Sequence, residues 1–206
     1  ISLGVGEPDF ATPWNIVDAA FYNMKMGRTH YTSNFGLLEF RKEVGEYLKK
    51  YDLDYGPDEI IATIGGSEGI DLALRSIINP GDEIIVPEPV YVPYRPLSEL
   101  TGATVVGIDT SKTEFKVDAK ELEKLITPKT KAIILCYPNN PTGITMPYED
   151  LKAVAEVVKK HNIWVITDEI YSELTYVGEH TSIASFPDMK ERTIYLNGFS
   201  KAFAMT

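Results

Sequence analysis

The sequence predicts an α/β protein, a three-layer α/β/α sandwich around a mostly parallel mixed sheet. From about residue 59 onward, short β-branched runs alternate with longer amphipathic stretches, as they do in successive βαβ units. Several of the short runs are continuously apolar, which is typical of parallel strands covered by helices on both faces. We therefore expect helices on both sides of one central sheet.

The individual elements follow from this alternation. The predicted strands are Glu59–Ile64, Glu83–Pro87, Ala103–Ile108, Lys131–Tyr137, Ile163–Thr167 and Thr193–Leu196. The predicted helices between them are Ser67–Ile78, Tyr91–Leu100, Asp118–Ile126 and Tyr148–His161. We assign residues 59–206 to one domain.

The first 58 residues have a different pattern. They contain a loop-like segment at residues 4–9, a helix near Trp14–Met26, a polar link at Arg28–Asn34 and a helix from Gly36 to about Tyr51. We interpret residues 1–58 as an N-terminal arm with flanking helices. Because the chain starts at Ile1 within an apolar stretch, we expect it to be a piece of a longer protein.

Composition excludes several functional classes. Lys+Arg 20 against Asp+Glu 30 gives a net charge of −10, and without a basic run this disfavours nucleic acid or an anionic membrane as partner. No apolar stretch approaches the roughly 20 residues that span a bilayer, and no signal peptide is present, so we expect a cytoplasmic protein. Cys136 is the only cysteine and is predicted to be a small core residue. The three histidines lack metal-site spacing, so no metal is expected.

Candidate site residues follow the predicted strands, since open α/β sheets bind ligands at the carboxyl ends of their strands. The polar or glycine-rich segments at these ends are Gly65–Gly69, Tyr137–Gly143, Asp168–Tyr171 and Asn197–Lys201. In the first of them, Gly65, Gly66 and Ser67 lie between a strand and a helix, where main-chain N–H groups and the helix dipole favour a phosphate.

Two other interpretations of Gly65–Gly69 stay open. The segment can be a tight turn with Ser67 as the helix N-cap. It also matches the Gly-x-Ser-x-Gly elbow of serine hydrolases, with Asp168 and His180 in the required order downstream. No His-Gly-Gly-Gly-type oxyanion segment precedes the serine, which disfavours the hydrolase.

Further chemistry comes from Asp168, Tyr171 and Lys201. Asp168 ends an apolar strand, where an unpaired carboxylate is costly to bury, so it needs a cationic partner or a capping role. Tyr171 can project beside it if a helical turn begins there. Lys201 is a surface charge or, in a partly dry pocket, a nucleophilic amine. A phosphate cradle, a buried carboxylate, a tyrosine, the Asn140 amide and a lysine together meet the needs of pyridoxal phosphate.

At this point the chain resembles the class I/II, fold-type I pyridoxal-phosphate-dependent aminotransferases, specifically their large domain. The resemblance runs over nearly the whole chain in the family's order. It is carried by Gly4–Phe10, Tyr31-Thr-x-x-x-Gly36, Phe40-Arg41, Asn140-Pro-Thr-Gly143, Asp168-Glu-Ile-Tyr171 and Gly198-Phe-Ser-Lys201 with the following residues to Thr206.

The resemblance implies a role for each residue around the cofactor ring. Lys201 would be the internal-aldimine lysine and the base that moves the proton between Cα and C4′. Asp168 would pair with the pyridinium nitrogen and so keep the ring an electron sink. Tyr171 and Asn140 would hydrogen-bond the phenolic oxygen. Tyr91 would stack on the ring face, unless it is a core aromatic beside Tyr94.

The resemblance also implies phosphate, substrate and subunit contacts. Gly65, Gly66 and Ser67 would hold the phosphate, with Ser200 as a further candidate because Gly198 stands where relatives often have a phosphate-binding serine. Gly6 would lie near the substrate carboxylate, and Asn140 would also bind the substrate. Tyr31 would reach the phosphate of a neighbouring subunit, which implies a homodimer with shared active sites. Glu7, Glu68 and Glu169 are interpreted as solvated or structural.

The implied function is ping-pong transfer of an amino group between an amino acid and a 2-oxo acid. The sequence ends before the family's Gly-x-Arg and lacks the C-terminal small domain with its carboxylate-binding arginine. The substrate stays open, because a helix surface explains Arg75 and Arg95. Other pyridoxal-phosphate reactions, namely C–S lyase, decarboxylase and cyclopropane-forming chemistry, use the same constellation. A ligand-sensing domain of a transcription regulator is a further alternative.

Overall fold

The computed structural model describes residues 6–206. The apolar start at Ile1 and the beginning of the predicted loop at residues 4–9 lie outside these residues. Contacts divide the chain into two compact units, Ile1–Thr63 with Gly198–Thr206, and Ile64–Asn197. The expected division into domains 1–58 and 59–206 stays a prediction.

The unit Ile64–Asn197 contains a five-stranded sheet. Its strands are β1 (Glu83–Glu88), β2 (Thr104–Asp109), β3 (Thr130–Cys136), β4 (Trp164–Asp168) and β5 (Thr193–Leu196). Their order is β2-β1-β3-β4-β5, and all four pairings are parallel. The described residues therefore form a parallel sheet, without the antiparallel strand that a mixed sheet would have. The order reverses between β1 and β3, where open α/β sheets place their ligands.

Helices of the described residues lie close to their predicted positions. They are α1 (Trp14–Lys25), α2 (Leu38–Leu48), α3 (Gly65–Ile77), α4 (Tyr94–Leu100), α5 (Ala119–Leu125) and α6 (Tyr148–His161). The bounds of α6 agree with the prediction at both ends. Helix α5 starts one residue later than predicted, because Asp118 is its N-cap and accepts hydrogen bonds from the N–H groups of Lys120 (2.8 Å) and Glu121 (3.0 Å). None of the helices within residues 6–206 is long and apolar enough to cross a membrane.

Two hydrophobic clusters lie on opposite faces of the sheet, because successive strand residues point to opposite sides. One cluster joins the sheet to α5 and α6 and includes Ile85, Ile133, Leu135, Val165, Leu122, Leu151 and Val154. The other joins it to α3 and α4 and includes Ile84, Val86, Ile134, Cys136, Ile166, Ile70, Leu74 and Tyr94. Helices on both faces confirm the predicted three-layer α/β/α arrangement.

The unit formed by Ile1–Thr63 and Gly198–Thr206 contains α1, α2 and two short 3₁₀ helices, Lys49–Tyr51 and Pro57–Glu59. The prediction of a strand at Glu59–Ile64 is wrong. Glu59 ends the second 3₁₀ helix, and the main-chain N–H of Ala62 donates to the Phe35 carbonyl (3.0 Å) instead of joining a ladder. Ile61 and Ile64 are exposed. An apolar, extended segment becomes a strand only when a neighbouring strand accepts its hydrogen bonds.

Candidate functional site

The candidate site of the unit Ile64–Asn197 lies where β3 and β4 end. Cys136 is the register partner of Asp168, so the segments that follow these two strands start at the same edge of the sheet. The predicted residues Asn140 and Tyr171 belong to these two segments. Parallel pairing thus brings together side chains that are about thirty positions apart in the sequence.

Asp168 is the last residue of β4 and is only 7% exposed. Its Oδ2 accepts a hydrogen bond from the Tyr94 hydroxyl (2.8 Å), and its Oδ1 accepts one from the main-chain N–H of Ile170 (3.1 Å). Burial raises the pKa of the Asp168 carboxyl above its usual range, and the two hydrogen bonds oppose that rise. No cationic side chain of the described residues in this unit pairs with Asp168. The carboxylate is therefore suited to a ligand that brings a protonated nitrogen.

Tyr171 and Asn140 lie beside this carboxylate segment. The Asn140 amide Nδ2 is 3.5 Å from the Tyr171 hydroxyl and donates to it. Burial raises the pKa of the half-buried Tyr171, while the Asn140 hydrogen bond lowers it. Tyr171 directly precedes the 3₁₀ helix Ser172–Leu174, so the helical turn expected after Asp168 is present. The structure therefore brings these two predicted residues together.

Tyr91 packs against Tyr94 just before α4. The two rings are 5.6 Å apart at an interplanar angle of 82°, an edge-to-face arrangement. Tyr91 is partly buried against the cluster of α3 and α4, whereas Tyr94 is fully buried. This is the geometry of a core aromatic pair, and the role of Tyr91 on a cofactor ring stays a prediction.

Gly65, Gly66 and Ser67 form the first turn of α3. Gly65 has φ +77°, in the left-handed region that favours glycine. A Cβ at Gly65 or Gly66 would meet no atom within 4 Å, so the surface beside them is open. Ile64 rather than Ser67 is the N-cap residue, which makes the alternative of Ser67 as N-cap wrong. N–H groups of a first helical turn lack carbonyls within the helix, so this end can bind an anion.

The predicted site residues Lys201, Gly6, Ser200 and Tyr31 belong to the other unit. The Lys201 ammonium donates a hydrogen bond to the Gly6 carbonyl, so these two predicted site residues are in contact. The carbonyl of Ser200 accepts a hydrogen bond from the Thr206 hydroxyl (3.0 Å). Tyr31 is fully exposed.

The hydrolase alternative does not fit the geometry. His180 Nε2 lies 2.5 Å from Glu169 Oε2, whereas the carboxylate that this alternative requires, Asp168, is bonded to Tyr94 and Ile170. Ser67 is exposed, and no described residue of its unit hydrogen-bonds its hydroxyl. These contacts exclude a Ser67–His180–Asp168 triad.

Sequence reasoning missed Tyr94, which contacts Asp168. The sequence predicts Tyr94 only as a core neighbour of Tyr91. Tyr94 is also the first residue of α4, the helix that follows β1, and this position puts it near the edge of the sheet where the strands end. Glu169 is 2% exposed and hydrogen-bonded, so of its two expected roles, solvated or structural, the structural one holds. Glu68 is exposed, and its carboxylate accepts from the Ile64 N–H, which is a structural role. Arg75 and Arg95 form surface ion pairs with Asp71 (2.8 Å) and Glu88 (2.5 Å), as expected.

Comparison with known proteins agrees with the sequence resemblance. The family model "Aminotransferase class I and II" matches residues 1–206. The chain is 51% identical over 209 residues to the Bacillus subtilis protein YugH, covering all of this chain and 54% of that protein. It is 44% identical over 210 residues to the bifunctional aspartate aminotransferase and glutamate/aspartate-prephenate aminotransferase of Petunia hybrida, covering all of this chain and 44% of that protein.

A solved structure has the same fold. The aromatic aminotransferase from Pyrococcus horikoshii superposes with a TM-score of 0.97 at 42% identity, over 100% of this chain and 56% of that chain. The chain thus spans about half the length of the relatives it matches.

Proposed function

The chain belongs to the class I and II aminotransferase family, and on that premise we propose that the protein transfers an amino group between an amino acid and a 2-oxo acid with pyridoxal 5'-phosphate as cofactor. The observation that supports this most is the buried Asp168 carboxylate, which no cation of its own unit neutralises. A protonated pyridine nitrogen supplies the missing charge. Since relatives are about twice as long, the activity is proposed for the whole protein.

Asp168 would hold the proton on the ring nitrogen of the bound cofactor. When bound, the cofactor supplies an electron sink for the charge that develops at the substrate Cα. Tyr94 and Ile170 occupy one acceptor position on each oxygen of the Asp168 carboxylate. Each carboxylate oxygen has a further lone pair, so the carboxylate can accept the ring N–H without losing either protein contact.

Tyr171 and Asn140 hydrogen-bond the phenolic oxygen of the cofactor. Asn140 Nδ2 donates one hydrogen to the Tyr171 hydroxyl, which leaves the second amide hydrogen and the Tyr171 O–H available for that oxygen. Tyr91 covers one face of the ring, supported from the side by Tyr94. Tyr171, Asn140 and Tyr91 would thereby hold and orient the ring of the bound cofactor.

The first turn of α3 holds the phosphate. The main-chain N–H groups of Gly66 and Ser67, together with the Ser67 hydroxyl, offer donors, and the absence of side chains at Gly65 and Gly66 allows close approach. A chain with a net charge of −10 must compensate a phosphate locally, and the helix dipole does part of this. Ser200 is a further candidate for this contact.

Lys201 would supply the amine that holds the cofactor and would move the proton at the substrate Cα. Its hydrogen bond to the Gly6 carbonyl holds Nζ in place before the cofactor binds. Gly6 would serve the substrate carboxylate and Asn140 would also bind substrate, while Tyr31 would serve the phosphate of a second subunit in a homodimer.

Borohydride reduction tests the cofactor site. The protein is incubated with pyridoxal phosphate and reduced, and the phosphopyridoxyl group is mapped by peptide mass spectrometry. We expect one adduct on Lys201, lost in Lys201→Ala and kept in Lys124→Ala, a control lysine paired with Glu121 on the surface (2.6 Å). Adducts spread over surface lysines would contradict the proposal.

Product analysis tests the reaction class. With an amino acid and a 2-oxo acid supplied together, a transaminase gives the exchanged pair in equal amounts. Release of ammonia with a thiol would indicate a C–S lyase instead, and release of carbon dioxide a decarboxylase. Either of these products in place of the exchanged pair would overturn the proposed reaction.

A further inference from the structure

A second buried carboxylate, Glu169, follows Asp168 directly but points to the opposite face of the sheet. Along β4, Val165 belongs to the cluster of α5 and α6 and Ile166 to the cluster of α3 and α4. Asp168 continues the α3 and α4 face, where Tyr94 contacts it. The Glu169 carboxylate lies with the Thr167 hydroxyl, which donates to it (3.0 Å) on the other face.

Three side chains contact the Glu169 carboxylate, and two of them are hydroxyls that donate to it. Oε1 accepts from the hydroxyls of Thr167 and Ser182 (2.7 Å), and Oε2 lies 2.5 Å from Nε2 of His180. The Glu169 and His180 side chains are only 3% and 7% exposed. An ionised carboxylate only accepts hydrogen bonds, so the His180 tautomer that fits this contact has its hydrogen on Nε2. Burying a carboxylate this deeply without hydrogen-bond donors costs free energy of folding. The Thr167, Ser182 and His180 contacts offset that cost.

The main chain of Glu169 is fixed as well. Its N–H donates to the Leu196 carbonyl (2.8 Å), which extends the pairing of β4 with β5, and its carbonyl accepts from the Ser172 N–H (2.9 Å). Glu169, which directly follows Asp168, is thus held by its main chain and its side chain together. A residue held in this way sets the directions of the peptide planes before and after it.

We propose that Glu169 and His180 are positioning residues for the reaction: their buried contact holds the segment from Asp168 to Tyr171 in the orientation that serves the cofactor ring. This inference rests on the proposed function. Glu169 touches no reacting atom, and it acts by anchoring the segment from the face opposite to Asp168. His180 belongs to the loop after the 3₁₀ helix Ser172–Leu174, which includes the exposed Tyr176 and Val177. Its contact with Glu169 therefore connects that loop to the end of β4.

Amide hydrogen exchange of the protein without cofactor is the first test. In Glu169→Gln we expect about tenfold faster exchange at the amides of Ile170 and Ser172, which bond to Asp168 and Glu169. His180→Ala should act in the same direction, and His180→Gln, which keeps a donor, should restore most of the protection. Ser182→Ala removes one donor only and gives a milder variant if Glu169→Gln folds poorly.

The loaded enzyme is the second test. We expect Glu169→Gln to lower kcat about tenfold with little change in KM, as for an interaction that acts on the reacting geometry rather than on binding. The pH midpoint of the bound cofactor's visible absorption should move as well, because Asp168 is displaced relative to the ring nitrogen. Glu123→Gln is the matched control, since Glu123 also contacts a histidine, His161 (3.2 Å), but on the surface. It should change neither quantity.

Each outcome is decisive. Unchanged exchange in Glu169→Gln would overturn the inference, and so would faster exchange with kcat and the absorption midpoint equal to those of the Glu123→Gln control, since the network would then only stabilise the fold. A parent protein that carries no cofactor at Lys201 would overturn the proposed function and this inference with it. That failure is distinguishable, because it is seen in the parent before any variant is made.

Discussion

The Tyr94 hydroxyl lies 2.8 Å from Oδ2 of Asp168 and donates to it inside the protein. Tyr94 begins α4 and is fully buried, whereas Asp168 ends β4. Burial raises the pKa of Tyr94 far above its usual range, with the Asp168 charge adding to the rise, so its hydroxyl stays a donor at any working pH. The packing of α4 on the sheet therefore sets the orientation of the carboxylate that we assign to the cofactor.

Tyr94→Phe should destabilise the protein and weaken cofactor binding. The variant keeps the ring but removes a buried hydrogen bond to a carboxylate, which typically contributes about 1.5–3 kcal/mol. Urea denaturation gives the free energy of unfolding, and titration with pyridoxal phosphate gives the affinity. Tyr148→Phe is the control, because Tyr148 is half exposed and its hydroxyl makes no hydrogen bond among the described residues of its unit. Equal effects of the two variants would contradict the assigned contact.

In protein without cofactor, the free energy of unfolding of Asp168→Asn should increase relative to that of the parent as pH rises. The folded-state pKa of Asp168 lies above its unfolded value, so between these two values the folded state binds more protons than the unfolded state. The free energy of unfolding of the parent therefore falls as pH rises through this window. That of the asparagine variant does not, because asparagine does not titrate.

Denaturation at about pH 5 and about pH 8 measures the difference, which should be larger at the higher pH. Bound cofactor should reverse the effect, because a protonated ring nitrogen favours the ionised carboxylate. A stability difference that is independent of pH in the cofactor-free protein would mean that Asp168 is not desolvated as the structure has it.

The local hydrophobic pattern of the sequence was enough to predict the helices and strands that bury an apolar face. The run Ile84–Val86 and the amphipathic stretch Tyr148–His161 carry their burial in their own sequence, and both were predicted. Glu59–Ile64 has equally apolar residues, but its hydrogen bonds depend on which segment lies beside it. Ala62 bonds to Phe35, a partner that periodicity does not reveal. The wrongly predicted strand thus shows that hydrophobic periodicity alone does not identify the partner of an extended segment.

The candidate site shows the same division. Asp168, Tyr171 and Asn140 were predictable, because each follows a predicted strand and belongs to a sequence motif of the family. Tyr94 and the link between Glu169 and His180 depend on contacts over 74 and 11 positions, between side chains whose types are common in cores and loops. Only the packing of α4 and of the loop before Ser182 identifies their partners.

Cys136 should resist thiol reagents in the folded protein. It is 2% exposed, and burial, with the nearby Asp168 charge, raises its pKa to about 12. At about pH 8 we expect labelling with a maleimide or an aromatic disulfide to be at least about 100-fold slower in the native protein than in urea. Fast native labelling would contradict the burial of β3 at this end.

Gly66→Val should weaken binding of pyridoxal phosphate while leaving the fold intact. A Cβ at Gly66 meets no atom within 4 Å, and its φ is not in the left-handed region, so we expect a change in unfolding free energy within about 1 kcal/mol. The valine side chain would occupy the space through which a phosphate reaches the first turn of α3. Loss of one charge-assisted hydrogen bond corresponds to an affinity about tenfold lower.

Pyridoxal without the phosphate is the matched ligand for this test, because it should bind the parent and Gly66→Val equally. Absorbance titrations with the two ligands separate a phosphate contact from a change in the ring site. If both ligands lose affinity together, the valine acts on the ring site or the fold, and the phosphate belongs elsewhere. If neither does, the open surface beside Gly65 and Gly66 is not the phosphate site, and the net charge of −10 must be overcome by another group of donors.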